Sequence, residues 1–196
     1  MKIYIKIIVL VLFCNSVFAA SSPVSQLEKM SNSLSVIIKK NKNNFNDTHA
    51  QLYRLVNRII VPNIDKKRMA QAVVGRRYWQ PATVADRSKF IRLFTQNIVT
   101  TYASAIKDYD NYSVKFYPLA DSDLNKRVVN VKAIVSVGDS PSIKLIYVML
   151  KVGNKWKIID FSVDGISLIN SYRAQFSGVL SSGGLALLNI ELDKKV

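Results

Sequence analysis

The chain has 196 residues, of which 49% are hydrophobic and 21% charged, an ordinary balance for a globular protein. Its 28 lysines and arginines outnumber its 13 acidic residues and give a formal charge of +15. A single histidine and a single cysteine exclude most zinc sites, disulfide frameworks and histidine-based catalytic triads. The length favours one domain.

Residues 1–19 have the pattern of a secretory signal peptide. Two lysines precede an unbroken apolar run from Ile7 to Phe13, and Val17-Phe18-Ala19 resembles a cleavage site. The run is shorter than the roughly 20 residues that span a bilayer, so we expect cleavage after Ala19 and export to the periplasm. Cys14 offers a second interpretation, a lipoprotein anchor, although Phe13 stands where such an anchor prefers a small residue.

The remainder, residues 20–196, is predicted to form one domain whose N-terminal part, 24–110, is helical. The predicted helices cover residues 25–40, 52–60 and 65–74, and a long helix follows the Thr83–Asp86 capping box. Pro62 ends the second helix, Asp65 is predicted to cap the third, and Gly75 ends the third. Asn41–Thr48 is predicted to be a polar loop and residues 76–81 a connector.

From Tyr112 onward, apolar residues recur at every second position and no longer at helical spacing. This alternation predicts an antiparallel sheet of about four strands over residues 112–163. Val131 and Ala133 share one strand face, and Leu145, Tyr147 and Met149 share a face of the next strand. Residues between them are also apolar, so both faces need cover, or one face needs a ligand.

Helical spacing returns over residues 165–193 and is interrupted at Gly183-Gly184. Asp164 is predicted to cap this last helical region, with Gly165 supplying a tight turn. Because helices, sheet and helices follow one another in blocks, the sequence predicts an α+β fold and not a doubly wound α/β fold.

No catalytic motif is recognisable in the sequence: Gly-x-Ser-x-Gly, Walker and dinucleotide patterns are missing. His49 has no second histidine or cysteine to work with and is predicted to be a solvated surface residue. Asp160 is predicted to share a strand face with Trp156 and Ile158. There it would be either a proton-transfer base with a raised pKa or, more simply, an acceptor for Arg173 or a backbone donor.

The basic residues are dispersed along the chain and are not interleaved with aromatic residues, which argues against a nucleic-acid partner. A cationic surface outside the cytoplasm favours anionic lipid headgroups or acidic patches on a partner protein. A solvated surface without a specific target is an equally good interpretation.

Several ordered segments resemble the MlaC family, also called the toluene-tolerance family. They are Val61-Pro62-Asn63-Ile64-Asp65, Arg68-Met69-Ala70, Val74-Gly75, Tyr78-Trp79, Phe90, Phe94, Thr101-Tyr102-Ala103, Tyr109, the block from Gly153 to Phe176, and Gly183-Gly184-Leu185. The resemblance extends from about Leu27 to Leu192, with the loop Asn41–Thr48 and the strong positive charge as departures.

This resemblance implies helices packed on a curved sheet, similar to the nuclear-transport-factor-2-like or cystatin-like arrangement, around an apolar cavity. The acyl chains of a diacyl phospholipid would lie between sheet and helices. Members of the family carry phospholipid across the periplasm. Their contacts with an outer-membrane lipoprotein–porin complex and with an inner-membrane ABC transporter bearing MCE domains are transient. The resemblance implies neither catalysis nor a cofactor or metal.

We therefore predict a periplasmic phospholipid carrier and not an enzyme. The predicted lipid-binding residues are Phe90, Phe94, Tyr102, Val131, Ala133, Leu145, Tyr147, Met149, Ile158, Asp164, Gly165, Ile166, Ile169 and Tyr172. Asp164 and Gly165 are placed at the mouth of the cavity. Two alternatives remain: a carrier of another apolar or acylated cargo, and an enzyme on a cystatin-like fold with Asp160 as its base.

Overall fold

A computed structural model describes residues 22–40, 49–107, 112–138 and 141–195. The predicted signal peptide, Cys14 and the loop Asn41–Thr48 lie outside the described residues, as does the side chain of His49. Across the described ranges, no helix is both long enough and apolar enough to cross a membrane.

Helices precede and follow a single antiparallel sheet, which confirms the predicted α+β order. The helices are α1 (Pro23–Lys40), α2 (His49–Ile59), α3 (Lys66–Val74), α4 (Arg76–Trp79), α5 (Val84–Lys107) and α6 (Leu168–Asp193), with 3-10 turns at Val61–Asn63 and Asp121–Asp123. The strands are β1 (Tyr112–Phe116), β2 (Val128–Val137), β3 (Ile143–Val152), β4 (Lys155–Val163) and β5 (Ile166–Ser167). The sheet has five strands, one more than predicted, and the predicted connector at 76–81 contains a short helix.

Side-chain caps fix the starts of α3 and α5 as predicted. The Asp65 carboxylate accepts a hydrogen bond from the Arg68 N–H at 3.0 Å, and Gly75 ends α3 with a φ of 77°. The Thr83 hydroxyl oxygen accepts from the Asp86 N–H at 3.0 Å and donates to the Asp86 carboxylate at 2.6 Å. These bonds satisfy amide groups that would otherwise lack partners at a helix N-terminus.

The strands follow one another in a meander, ordered β1-β2-β3-β4-β5. Val131 pairs with Tyr147, and Lys132 pairs with Ile146, so neighbouring residues of each strand lie on opposite faces of the sheet. The inner face faces the helices and includes Val131, which is buried. The opposite face is called the outer face below.

A β-bulge in β4 changes which residues face the helices. The register shifts by one residue after Ile158, and Ile159 is the extra residue. Beyond the bulge, Phe161 joins Ile158 on the inner face and Asp160 lies on the outer face. The prediction that Asp160 shares a face with Trp156 and Ile158 is therefore wrong, because it assumed uninterrupted alternation along the strand.

Asp164 and Gly165 form the two-residue turn between β4 and β5, with φ values of 48° and 87°. Two successive positive φ values are the geometry that Asp-Gly favours in hairpins. The Asp164 carboxylate accepts a hydrogen bond from the Lys144 N–H at 2.9 Å and does not cap a helix. The N-cap of α6 is instead Ser167, whose hydroxyl accepts from the Asn170 N–H at 3.2 Å.

We expect Gly165→Ala to destabilise the protein by about 1–2 kcal/mol, because an alanine Cβ is strained at a φ of 87°. No heavy atom lies within 4 Å of the position of the added Cβ, so the cost would come from the backbone and not from a clash. Urea unfolding measures the change. Gly178→Ala, in a helix and equally free of clashes, is the control and should be neutral or slightly stabilising.

The largest core cluster lies between α3, α5 and α6. Phe90 stacks on Phe94 with ring centroids 5.3 Å apart, and Phe176 meets Phe94 edge-on at 6.3 Å. Non-helical backbone angles at Gly183 and Gly184 interrupt α6 as predicted. The buried leucines beyond that break return to the same cluster. Helix α1 covers the other half of the inner face in a second, smaller cluster.

Candidate functional site

A cavity of about 260 Å³ lies between the inner face of the sheet and the helices. Its lining residues come from α1, α2, α3, α5, the segment 60–64 and the sheet. They are Met30, Ser31, Leu34, Val56, Ile60, Val61, Ile64, Lys66, Met69, Phe94, Thr95, Ile98, Val99, Tyr102, Phe116, Leu145, Tyr147, Ile158 and Phe161.

The lining is apolar except for five residues. Two of them are tyrosines, and the Thr95 hydroxyl donates back to the Ile91 carbonyl at 2.6 Å, within its own helix. Lys66 is the one charged residue of the lining. Such a surface favours a large apolar ligand held by burial and not by a set of directional hydrogen bonds.

A row of aromatic rings crosses one wall of the cavity. Phe116 on β1 lies 6.3 Å from Tyr147 on β3, and Tyr147 lies 6.4 Å from Phe161 on β4. The Tyr102 ring of α5 meets Phe161 edge-on at 6.1 Å. Three strands and a helix therefore contribute to one apolar wall, which requires the β4 bulge to place Phe161 inward.

Helix α1 closes the cavity from the opposite side and is held to the sheet by Gln26. The Gln26 amide nitrogen donates to the Trp156 carbonyl at 2.8 Å and to the Asn63 side-chain oxygen at 3.0 Å. The Trp156 N–H donates to the Gln26 side-chain oxygen at 3.3 Å. This side chain thus satisfies both backbone groups of a strand residue near the start of β4. Met30, one turn further along α1, lines the cavity.

Five of the predicted residues line this cavity: Phe94, Tyr102, Leu145, Tyr147 and Ile158. The tertiary structure brings them together from α5, β3 and β4. The inner face of β3 and the stripe of α5 were therefore identified in part from the sequence.

Three other predicted residues, Phe90, Ile169 and Tyr172, pack in the helical core and do not line the cavity. Phe90 has no exposed surface. The Tyr172 hydroxyl donates to the Asn97 side-chain oxygen at 3.0 Å, and burial raises the pKa of Tyr172. Their spacing on α5 and α6 predicts an inward face, but the neighbouring helix fills the space beside them.

Val131, Ala133 and Met149 lie on the inner face but are covered by protein atoms. Leu27 of α1 packs with Val131 and Met149, and Ala133 is only 2% exposed. Helix α1 covers Val131 and Met149, whereas the cross-strand partners of Ala133, Phe116 and Leu145, line the cavity.

The remaining three predicted residues lie away from the cavity. Asp164 and Gly165 form the hairpin turn and are exposed, and Ile166 on β5 is 69% exposed. The placement of Asp164 and Gly165 at the cavity mouth is therefore not supported. The sequence interpretation assigned these residues to a helix start, whereas Asp164 and Gly165 form a hairpin turn and Ile166 begins a short edge strand.

Both oxygens of the Asp160 carboxylate accept hydrogen bonds from nearby donors. One oxygen accepts from the Phe161 N–H at 2.8 Å and the Ile169 N–H at 3.2 Å. The other accepts from the Ser167 hydroxyl at 2.6 Å. The backbone-donor interpretation is confirmed, whereas Arg173 donates to a carbonyl of α3 instead. Asp160 fastens the start of α6 to the outer face of the sheet, away from the cavity.

We expect Asp160→Asn to lower the free energy of unfolding by about 1–3 kcal/mol while leaving cavity binding intact. The substitution replaces a charged acceptor with a neutral one, and the donors around it lose part of their stabilisation. Urea unfolding gives the first quantity, and native mass spectrometry of a ligand retained by the purified protein gives the second. If Asp160→Asn instead abolished the biological activity of the protein at wild-type stability, the result would support the alternative of an enzyme with Asp160 as its base.

The chain matches the sequence pattern of a known protein family over most of its length. The sequence pattern of the family described as MlaC protein matches residues 28–194. The chain belongs to the MlaC family. The match spans the elements from the first turns of α1 to the end of α6.

Two curated relatives of this MlaC-family chain match most of its length. The toluene tolerance protein ttg2D of Pseudomonas putida is 23% identical over 166 residues, which cover 85% of this chain and 76% of that protein. The intermembrane phospholipid transport system binding protein MlaC of Haemophilus influenzae is 24% identical over 181 residues, covering 90% and 83%.

A solved structure of a phospholipid-binding protein from Ralstonia solanacearum, in complex with a phospholipid, has the same fold. It superposes on this MlaC-family chain with a TM-score of 0.81 and 26% sequence identity. The alignment covers 89% of this chain and 96% of that one.

Sequence reasoning missed the cavity residues of this MlaC-family protein on its first two helices. Met30 and Leu34 of α1 and Val56 of α2 belong to helical stripes that the sequence displays. The stripe shows that these helices bury one face but not what that face meets. Phe161 was missed for another reason, because simple alternation places it opposite Ile158.

Proposed function

We propose that this protein is a periplasmic carrier that holds the acyl chains of a phospholipid in the cavity and shuttles the lipid between outer- and inner-membrane complexes. The observation that carries this proposal is the cavity itself, which is apolar on nearly every side and is formed within a single chain. Membership of the MlaC family and the phospholipid bound to the related Ralstonia solanacearum protein support the choice of ligand.

Burial of acyl chains explains why a carrier needs little chemistry. Each methylene exposed to water costs about 0.8 kcal/mol, so two chains with roughly thirty methylenes cost roughly 25 kcal/mol. An apolar cavity removes most of this cost while the lipid crosses an aqueous space.

In this proposal the tails contact the aromatic row and the stripe of α5, including Tyr147, Phe94 and Ile98. Lys66 marks the end of the cavity at which a lipid phosphate lies. It is exposed at the start of α3 and forms no ion pair with any acid in the described ranges. A cation at the edge of a mostly apolar lining matches the single negative charge of a phosphodiester.

The cavity has to widen to hold two chains, because 260 Å³ is below the roughly 300–1,000 Å³ of ordinary ligand pockets. Helix α1 is the wall that shifts in this proposal. Gln26 attaches its first turn to the sheet by hydrogen bonds, whereas Leu34 and Ile38 join it to α2 through a small cluster with Leu55. Movement about Gln26 would enlarge the cavity without disturbing the core between α3, α5 and α6.

The membrane partners proposed are an outer-membrane lipoprotein–porin complex and an inner-membrane ABC transporter with MCE domains. The MlaC family and the predicted signal peptide support this assignment. Contacts with both complexes are transient, because a carrier must leave each of them with or without its lipid.

Native mass spectrometry of the full protein, gently purified from the periplasm, tests the binding step. We expect a bound mass equal to that of a diacyl phospholipid, identified after solvent extraction. A different extracted cargo, such as an acylated peptide, would identify the alternative carrier function. A protein free of phospholipid under every purification condition would contradict the proposal.

A further inference from the structure

The outer face of the sheet carries a patch of lysine and aliphatic residues. Lys115 pairs with Ile134, which in turn pairs with Lys144, so these three form one row across β1, β2 and β3. In the next row, Lys132 pairs with Ile146. We call Lys115, Lys132, Lys144, Ile134, Ile146 and Val148 the basic patch.

No described helix covers the basic patch. Ile134, Ile146 and Val148 are only partly buried, and they belong to none of the hydrophobic clusters that the described residues form. The three lysines of the patch are exposed. Aliphatic side chains on an uncovered sheet face, surrounded by lysines, form an amphipathic surface and not a part of the core.

The positive charge of the patch is not neutralised by the protein. Lys115, Lys132 and Lys144 form no ion pair with any acidic residue in the described parts of the chain. Asp160, on the same face, already accepts three hydrogen bonds from its own surroundings. Asp164 accepts from the backbone N–H of Lys144 and not from its ammonium group. The patch therefore presents three unpaired cations to a partner.

The composition of the patch distinguishes among partners. Protein interfaces favour arginine and aromatic anchors in pockets and are depleted in lysine, whereas the six patch residues include no arginine and no aromatic. A second copy of a chain with a formal charge of +15 would be repelled. The ring of Tyr117 lies 5.4 Å from the Lys115 ammonium and adds an amphipathic group of the kind found at headgroup depth.

We propose that the basic patch docks the protein on the surface of a bilayer that contains anionic phospholipids. The lysines contact headgroup phosphates, and the aliphatic side chains between them lose water on contact. The sheet then separates the bilayer from the cavity, so docking holds the protein at the membrane without engaging the lipid-binding cavity. This proposal does not depend on what the cavity holds.

Co-sedimentation of the purified protein with vesicles tests the proposal. Vesicles of phosphatidylcholine with phosphatidylglycerol are compared with vesicles of phosphatidylcholine alone, at low and high salt. We expect binding to the mixed vesicles only, weakened by salt. The triple variant K115E/K132E/K144E should bind at least about a hundredfold more weakly, since each lysine contributes about 1 kcal/mol at an anionic surface.

A charge-matched variant, K39E/K67E/K195E, reverses three exposed lysines on or beside helices and should bind almost as well as the wild type. Equal losses in the two variants would show a diffuse attraction and overturn the proposal. So would binding to neutral vesicles, or no binding at all. If the patch lysines bind a polyglutamate peptide but no vesicle, the partner is an acidic protein and the proposal is wrong. Both variants should keep their cavity lipid in native mass spectrometry, which separates this test from that of the carrier function.

Discussion

Leu145→Glu is expected to abolish phospholipid retention while leaving the protein folded. Leu145 lies on the inner face of β3 and lines the cavity, where a carboxylate would face apolar side chains. An unpaired charge in such surroundings costs several kcal/mol, and a protonated carboxyl would still lack an acceptor. A loss of about 4 kcal/mol in binding corresponds to about a thousandfold in affinity. Native mass spectrometry of the purified variant measures the bound fraction.

Ile146→Glu is the matched control for this prediction. Ile146 is the next residue of the same strand but lies on the outer face, opposite Lys132. The same change in side-chain type there places a carboxylate beside a cation in contact with water, so phospholipid retention should be unchanged. Loss of the lipid in both variants would show a general weakening of the sheet. Retention in both would place the acyl chains elsewhere.

Phe90→Ala is expected to lower the free energy of unfolding by about 3–5 kcal/mol, the usual cost of deleting a buried aromatic ring. Phe90 is completely buried, stacks on Phe94 at 5.3 Å and meets Phe176 edge-on at 6.3 Å. The three rings belong to the core between α5 and α6, so a void left by one of them loses contacts on both helices. Urea unfolding measures the loss.

Phe90→Leu keeps part of the side-chain volume and should cost about 1–2 kcal/mol, since the leucine fills some of the void. The folded fraction of both Phe90 variants should retain phospholipid, because Phe90 does not line the cavity. Loss of lipid at near wild-type stability would contradict this assignment and return Phe90 to the binding site.

Much of the local structure follows from the sequence because its causes are local. Asp65 and Thr83 cap their helices through neighbours three residues away, and Gly75 ends α3 through its own backbone freedom. The change of period at Tyr112 predicts the first strand, which the structure places at Tyr112–Phe116. Each of these signals depends on a few adjacent residues, and nothing distant in the chain competes with it.

The site was harder to predict because its members are distant in the chain. Periodicity shows that Phe90 and Phe94 both face inward along α5, and both pack against α6, but of the two only Phe94 also borders the cavity. In the same way Val131 and Leu145 lie on one face of the sheet, and only the position of α1 separates the covered residue from the exposed one. Side chains facing protein and side chains facing a cavity obey the same apolar pattern.

The sequence alone determined the block order of helices, sheet and helices, the caps of α3 and α5, most of the apolar faces and the resemblance to the MlaC family, because these depend on the types and spacing of residues. Only the tertiary structure decided that Phe161 and not Asp160 lies on the cavity side of the sheet, since one extra residue at the β4 bulge reverses the alternation. It also decided which apolar residues surround empty space. Whether such a face meets protein atoms or a cavity depends on how far apart two elements pack, and that distance is set by side chains far along the chain.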